Sequence, residues 1–261
     1  MSKTKIAVIL SLALIAGGAL TCGFAFTAMG FDARKLNTGT YAEKSYDVTD
    51  DFQDIRIHCS MDRIRFVPSE DGSCHVELYD HEKVDLAVSV DSDALDIRTE
   101  DNSKWFEHIG FFTMMPTMTV CLPKDHYRSL LINTSTGDVE FSSLAFDGDI
   151  ELHTHTGATK IEDVTCDRLT SEGNTGDIKL ENVLIAGSLN VSRNTGDIEF
   201  NDCDAASCTI ETNTGDVEGT FLTEKTFTVK TATGDVDVPN TTGGGSCMIT
   251  TATGDIEIRI R

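Results

Sequence analysis

The chain has 261 residues, enough for one or two domains with a buried core. Its net charge of −22, from 43 acidic and 21 basic residues, excludes a phosphate-binding surface for nucleic acid and docking on anionic lipid headgroups. A charged fraction of 25% and only four prolines mark a folded chain, not a disordered one.

Ile6 to Phe31 carries no charged side chain. About 20 apolar residues span a bilayer, so residues 6–31 are expected to form one transmembrane helix. Residues 1–5 are then a cytoplasmic N-terminus, and the bulk of the chain lies on the extracytoplasmic side of the cell membrane. Lys3 and Lys5 precede the run and Arg34 and Lys35 follow it, so flanking charge supports this orientation only weakly. The alternative is a cleaved secretory signal, although the run is long for one. Lipidation at Cys22 does not fit Ala19-Leu20-Thr21, which lacks both the branched apolar residue and the small residue such a site needs. Residues 32–44 read as a polar linker.

Residues 45–124 read as an N-terminal β cap. Ile55, Ile57 and Cys59, then Ile64 and Phe66, alternate like a degenerate first coil centred near Asp62. Residues 84–90, 95–97 and 118–122 read as further strands. Trp105, Phe106, Phe111, Phe112, Met114 and Met115 are expected to plug the cap's core, with a membrane- or partner-facing patch as the alternative.

Residues 125–261 repeat. Glycines fall at 137, 157, 176, 196, 215, 234 and 254, each after a threonine and, except at Ala158, before an aspartate. Apolar residues recur seven and five positions before each glycine and two and four after it, as in Leu130, Ile132, Val139 and Phe141. That period of two is strand, not helix. Each coil is thus a strand, a tight Thr-Gly-Asp turn and a second strand, followed by a third apolar point at Leu144, Val164, Val183, Cys203 and Leu222. Seven coils at about 4.8 Å stack into a rod on the order of 34 Å long that shares one core. The expected fold is all-β: a parallel β-solenoid of seven 19–20-residue coils with an N-terminal β cap, preceded by one transmembrane helix.

Stacked aspartates such as Asp138, Asp177 and Asp197 form an acidic ladder whose neighbours repel by roughly 0.8 kcal/mol in water. Each is expected to cap its own turn; Ca²⁺ bound between coils is the competing reading, though the glycine-rich nonapeptide of calcium β-rolls is absent. The Thr-x-Thr pairs lack the flat uncharged face of an ice-binding surface, because parity turns the first threonine inward. Cys208 and Cys247 share a phase but are expected two coils apart, near 9.6 Å, too far for a disulfide. Cys59, Cys203 and most of the other cysteines beyond the apolar helix read as core hydrophobes, and His153 and His155 as surface histidines. Enzyme motifs are missing. No catalytic, cofactor-binding or metal-ligating residue is assigned, and no cofactor.

The apolar N-terminal segment, the strand Thr-Val-Cys-Leu-Pro123, and Leu-Ile-Asn-Thr-Ser-Thr-Gly-Asp-Val139 with its repeats resemble a bacterial family of β-strand-repeat domains of unknown function. Its members are often labelled "putative adhesin". The resemblance covers roughly residues 45–261 and implies a surface interaction role and no catalytic residues. The expected function is that of a non-enzymatic, membrane-anchored extracytoplasmic β-solenoid, an adhesin-like binding or scaffold module. The alternatives are a cation-responsive envelope-stress regulator and a carbohydrate-active β-helix enzyme. Expected partners are the membrane, through the N-terminal helix, and an unidentified protein or cell-envelope component, with no nucleic acid. The last strand, Ile256 to Ile260, is expected to present an open edge for self-association.

Overall fold

A computed structural model describes residues 3–28, 30, 40–60, 62–102 and 116–261. Helix α1 (Lys3–Ala28) and the strands belong to separate compact units. On α1, Leu10, Leu14, Ile15, Leu20 and Phe24 are exposed. Among the described residues no helix is long and apolar enough to cross a membrane. The aromatic and methionine stretch from Trp105 to Met115 lies outside the described residues.

The first strands are β1 (Tyr41–Val48), β2 (Asp54–Cys59), β3 (Arg63–Pro68), β4 (Cys74–His81), β5 (Val84–Asp91), β6 (Ala94–Asp101) and β7 (Thr117–Leu122). β1 takes in residues 41–44 of the stretch expected as linker. The repeats contribute β8 (His126–Tyr127), β9 (Ser129–Thr136), β10 (Val139–Ser142), β11 (Ala145–Phe146), β12 (Asp149–Thr156), β13 (Thr159–Cys166) and β14 (Arg168–Thr175). They continue through β15 (Ile178–Thr195), β16 (Ile198–Thr214), β17 (Val217–Phe221), β18 (Lys225–Thr233), β19 (Val236–Asp237), β20 (Gly245–Thr253) and β21 (Ile256–Ile260).

The coils lie in register, parallel, one on the next. Leu130, Ile150, Leu169, Leu189 and Cys208 are successive partners across β9, β12, β14, β15 and β16. All are buried, as are Val139, Ile178, Ile198 and Val217 on the strands after the turn. The apolar rows therefore form one continuous core. The turn glycines hold φ between 132° and 149°, and a Cβ on any of them would lie 1.9–2.3 Å from the carbonyl oxygen of the coil beneath. Only glycine satisfies both the backbone angle and the contact. A second corner, six residues on, holds Ser143, Asp163, Asn182 and Asp202 at φ 51–57°. Asx residues tolerate that left-handed conformation better than most.

The degenerate first coil is present. Ile55 and Ile57 pair with Leu130 and Ile132, Ile64 pairs with Val139, and Asp62 takes the place of the turn glycine beneath Gly137. β6 and β7 continue the parallel stack below β2 and β3, and β5, β4 and β1 finish it with antiparallel pairing.

At the other end the coils do not stack in chain order. β20 lies between β16 and β18, and β21 lies between β17 and β19. The last coil is inserted between the two that precede it in sequence. Two sequence expectations are corrected by this. β21 is open only in part: Ile256 and Glu257 pair on both sides, Ile258–Ile260 pair with β17 alone, and the end coil is β18–β19. Cys208 and Cys247 are not two coils apart but direct register partners. The end coil leaves Phe227, Val229 and Val238 half-buried and Val236 45% exposed, because no further coil covers them.

The irregular repeat positions have steric causes. Gly219 replaces a core residue because a Cβ there would meet the Phe200 ring at 2.3 Å. Phe221, not Leu222, fills the inward place beside Cys203, since one residue is skipped at that corner and Leu222 is left exposed. Arg193 stands in an inward row otherwise rich in threonine and is 2% exposed. Its guanidinium lies over Gly173, where a Cβ would be 2.8 Å from Nη1. It donates to Ser171 Oγ at 3.0 Å, Thr159 Oγ1 at 3.3 Å and the Ser192 carbonyl at 3.1 Å. Ser171, Gly173 and Thr159 each break the apolar or threonine pattern, and all three make room or hydrogen bonds for this one side chain. Burial pushes the Arg193 pKa down to about 10.

Candidate binding groove

The outward residues of β2, β9, β12, β14 and β15 line a groove of about 850 Å³. Period-two alternation sends the intervening residues outward, and in-register stacking aligns them into rows. His58, Asn133, His153, Glu172 and Ser192 form one row of successive partners. A second row is hydrogen-bonded along the stack: Asn213 Nδ2 donates to Asn194 Oδ1 at 3.1 Å, Asn194 Nδ2 to Asn174 Oδ1 at 2.9 Å, and Asn174 Nδ2 faces the His155 ring at 3.1 Å. His153 Nδ1 lies 3.4 Å from Glu172.

The groove offers amides, imidazoles and hydroxyls spaced by the strand repeat, with Glu172 as the one carboxylate among the described residues that line it. Such a surface can exchange many directional hydrogen bonds with a polar ligand. Its floor includes Thr134 and Thr154, whose Oγ1 atoms are buried; Thr134 lies against the Cys59 thiol, and among the described residues Thr154 Oγ1 has no hydrogen-bond partner. Cys59 is also on the floor, and burial pushes its thiol up to about 11, so it is a protonated, weak nucleophile at neutral pH. His153 and His155, read from sequence as surface histidines, both belong to this groove. The groove itself is not visible in the linear pattern, because its rows join residues about 20 positions apart.

The acidic ladder has a different role from the turn cap expected. Five of the six carboxylates, all but that of Asp235 on the end coil, accept the backbone N–H of the equivalent residue one coil away. Ala158 N donates to Asp138 Oδ1 at 3.0 Å, Asp197 N to Asp177 at 2.9 Å, Asp216 N to Asp197 at 2.9 Å, Asp255 N to Asp216 at 2.8 Å and Asp235 N to Asp255 at 2.7 Å. The ladder follows the spatial order of the coils, passing through Asp255 before Asp235. Arg63 ends it with an ion pair to Asp138 at 3.0 Å. Charge-assisted hydrogen bonds of about 1.5–3 kcal/mol offset the like-charge repulsion. The inward threonines tie the coils at the same corner: Thr212, Thr251 and Thr231 donate to the carbonyls of Gly196, Gly215 and Gly254 at 3.0–3.2 Å. Among the described residues no group of three or more His, Cys, Asp or Glu side chains is placed to hold a metal ion.

Several solved structures are similar. One is a "putative adhesin" from Bacteroides fragilis, 15% identical, with a TM-score of 0.45 over 86% of this chain and 99% of that one. Another is a "putative cell adhesion protein" from Clostridium sporogenes, 10% identical, with a TM-score of 0.40 over 85% of this chain and 100% of that one. A third is a "putative adhesin" from Parabacteroides distasonis, 15% identical, with a TM-score of 0.35 over 85% and 98%. No curated protein matches the chain. The family model described as Toastrack DUF4097 matches residues 52–261, and the chain belongs to that family.

Proposed function

We propose that this protein is a non-enzymatic, membrane-tethered binding module displayed on the extracytoplasmic side of the cell, and that the polar groove is its ligand-facing surface. The observation that carries the reading is the groove itself, with two rows of outward hydrogen-bonding side chains on a stack of parallel strands. Rigid strands hold such groups at fixed spacing, which suits recognition of a polar, repetitive ligand such as a cell-envelope polymer. The tether is supported by the uncharged run from Ile6 to Phe31 and by the exposed apolar side chains of α1. The similar solved structures carry names of the same kind, but the reading rests on the groove and the N-terminal segment.

Two measurements test it. Membrane-impermeant protease on intact cells is expected to remove the β domain, and full protection would reject the outward topology. Glycan-array or envelope pull-down binding by the wild-type chain is expected to fall at least tenfold in the Asn174→Ala/Asn194→Ala variant. Unchanged binding would reject the groove.

A further inference from the structure

Cys208 and Cys247 are 39 positions apart in sequence, and chain-order stacking would keep them apart in space. Insertion of the last coil makes them direct partners on the adjacent parallel strands β16 and β20. Adjacent strands place partner Cα atoms about 4.8 Å apart, within the usual span of about 4.4–6.8 Å for a disulfide. Both side chains point into the core, 3% and 1% exposed, between Leu189 on one side and Phe227 on the other. All eight cysteines are free thiols here. The Cys247 thiol is held above its ordinary range by contact with Cys208 and then by burial, so the reduced pair is a neutral, quiet part of the core.

We propose that Cys208 and Cys247 form a reversible disulfide site that locks the inserted last coil against the coil it packs on. The bond would close a loop that contains the whole end coil, β18–β19, so the strand order could no longer rearrange. The oxidant is a dithiol–disulfide exchange partner or a small-molecule disulfide. One cysteine loses its proton to solvent and its thiolate attacks the oxidant's disulfide. This forms a mixed disulfide and releases one oxidant thiolate. The second cysteine, deprotonated in turn, displaces the other oxidant thiolate. Two protein thiols are oxidised, one oxidant disulfide is reduced to two thiols, and the two protons end on those thiols or in solvent. Burial restricts the reaction to the time before the end coil closes over β20, or to moments when it lifts away.

The test uses the full chain in detergent, unfolded in urea and refolded at pH 8 with a mixture of oxidised and reduced glutathione. After acid quenching, free thiols are alkylated and the protein is digested for mass mapping. The expected result is a cross-linked peptide pair containing Cys208 and Cys247. It should be accompanied by a thermal midpoint on the order of 5–10 °C higher than the reduced form, lost on adding reductant. Cys208→Ala is expected to abolish the redox-dependent shift, whereas Cys166→Ala is expected to retain it. Recovery of Cys208 and Cys247 as alkylated thiols after oxidative refolding would overturn the proposal. So would linkage of either to Cys203 or to glutathione alone. Because the mapping is done on the wild-type chain, the result stands even where a variant folds poorly.

Discussion

Arg193 occupies a row that the repeat otherwise gives mainly to threonine, and three neighbouring irregularities exist on its account. A buried guanidinium with hydroxyl and carbonyl partners is a costly core element, and among the described residues its Nε has no hydrogen-bond partner. Gly173→Ala places a Cβ 2.4 Å from the Thr154 carbonyl and 2.8 Å from Arg193 Nη1. It is expected to cost about 2–3 kcal/mol in urea unfolding. In an Arg193→Thr background the same change should cost at least about 1 kcal/mol less, a coupling that a double-mutant cycle reads directly. A second residue-scale prediction concerns the ladder. Ala158 has no carboxylate to accept the N–H of Asp177, the one place within the repeats where the rung is missing. Ala158→Asn supplies an acceptor without charge and should stabilise by about 0.5–1 kcal/mol. Parity along one coil made the core rows legible in the sequence, from Leu130 to Ile258. The partners of Arg193 and of each aspartate were not legible, because they sit about 20 residues away and the linear pattern shows them only as exceptions.

At the scale of elements, the seven Thr-Gly turns fix how many coils exist but not their order in the stack. Each coil presents nearly the same rows to either neighbour, so periodicity alone cannot distinguish β18 from β20 as the strand on β16. The structure decides through a long-range connection, residues 239–244, that carries the chain back past the end coil. Hydrogen exchange offers a direct check. Ile256 N donates to the Asp235 carbonyl and Val217 N to the Asp255 carbonyl, each at 2.9 Å. The Ile256 amide, at the start of β21, is therefore expected to exchange more slowly than the amides of β18, although β21 is the last strand in sequence. Faster exchange at Ile256 than in β18 would refute the insertion. The opposite end of the stack contains a pH-sensitive contact. Asp62 is almost fully buried at the first turn and faces Asp80 on β4, Thr99 on β6 and Cys59 on β2. Asp80 in turn faces Asp101 and accepts the His81 N–H. Burial, then repulsion from Asp80, pushes the Asp62 carboxyl up to about 7, and Asp80 is raised in the same direction. A carboxyl raised on folding binds its proton more tightly in the native state. Its contribution to stability is full below about pH 4 and is lost as pH rises to about 7. Asp62→Asn should thus raise the thermal midpoint by a few degrees at pH 8 and by progressively less towards pH 4, as differential scanning calorimetry would show.

For the whole molecule, the two ends of the stack are unlike, and this sets how it can associate. Antiparallel strands finish the N-terminal end, whereas the other end is the bare coil β18–β19. Among the described residues β18 pairs only with β20, leaving the other edge of a nine-residue strand open. Its outward side chains are Thr226, Thr228, Lys230 and Ala232, so a single charge guards it. An open edge of this length tends to pair with another strand, and the half-exposed Phe227, Val229 and Val238 would be covered by the same contact. β19 contributes less, being two residues long and followed by Pro239. Opposing this is the net charge of −22, whose self-repulsion is strong at low ionic strength and screened within about 4–5 Å at 0.5 M salt. The balance predicts a monomer at 20 mM salt and a reversible dimer, two β18 edges side by side, at 0.5 M salt. Sedimentation velocity on the chain lacking residues 1–40 reads both states without the apolar helix. Thr228→Glu sets two new carboxylates against each other across the paired edges and should return the protein to monomer at 0.5 M salt. A dimer that persists in that variant would place the contact elsewhere, and a concentration-independent monomer at both salts would mean that the end coil is protected by its own geometry.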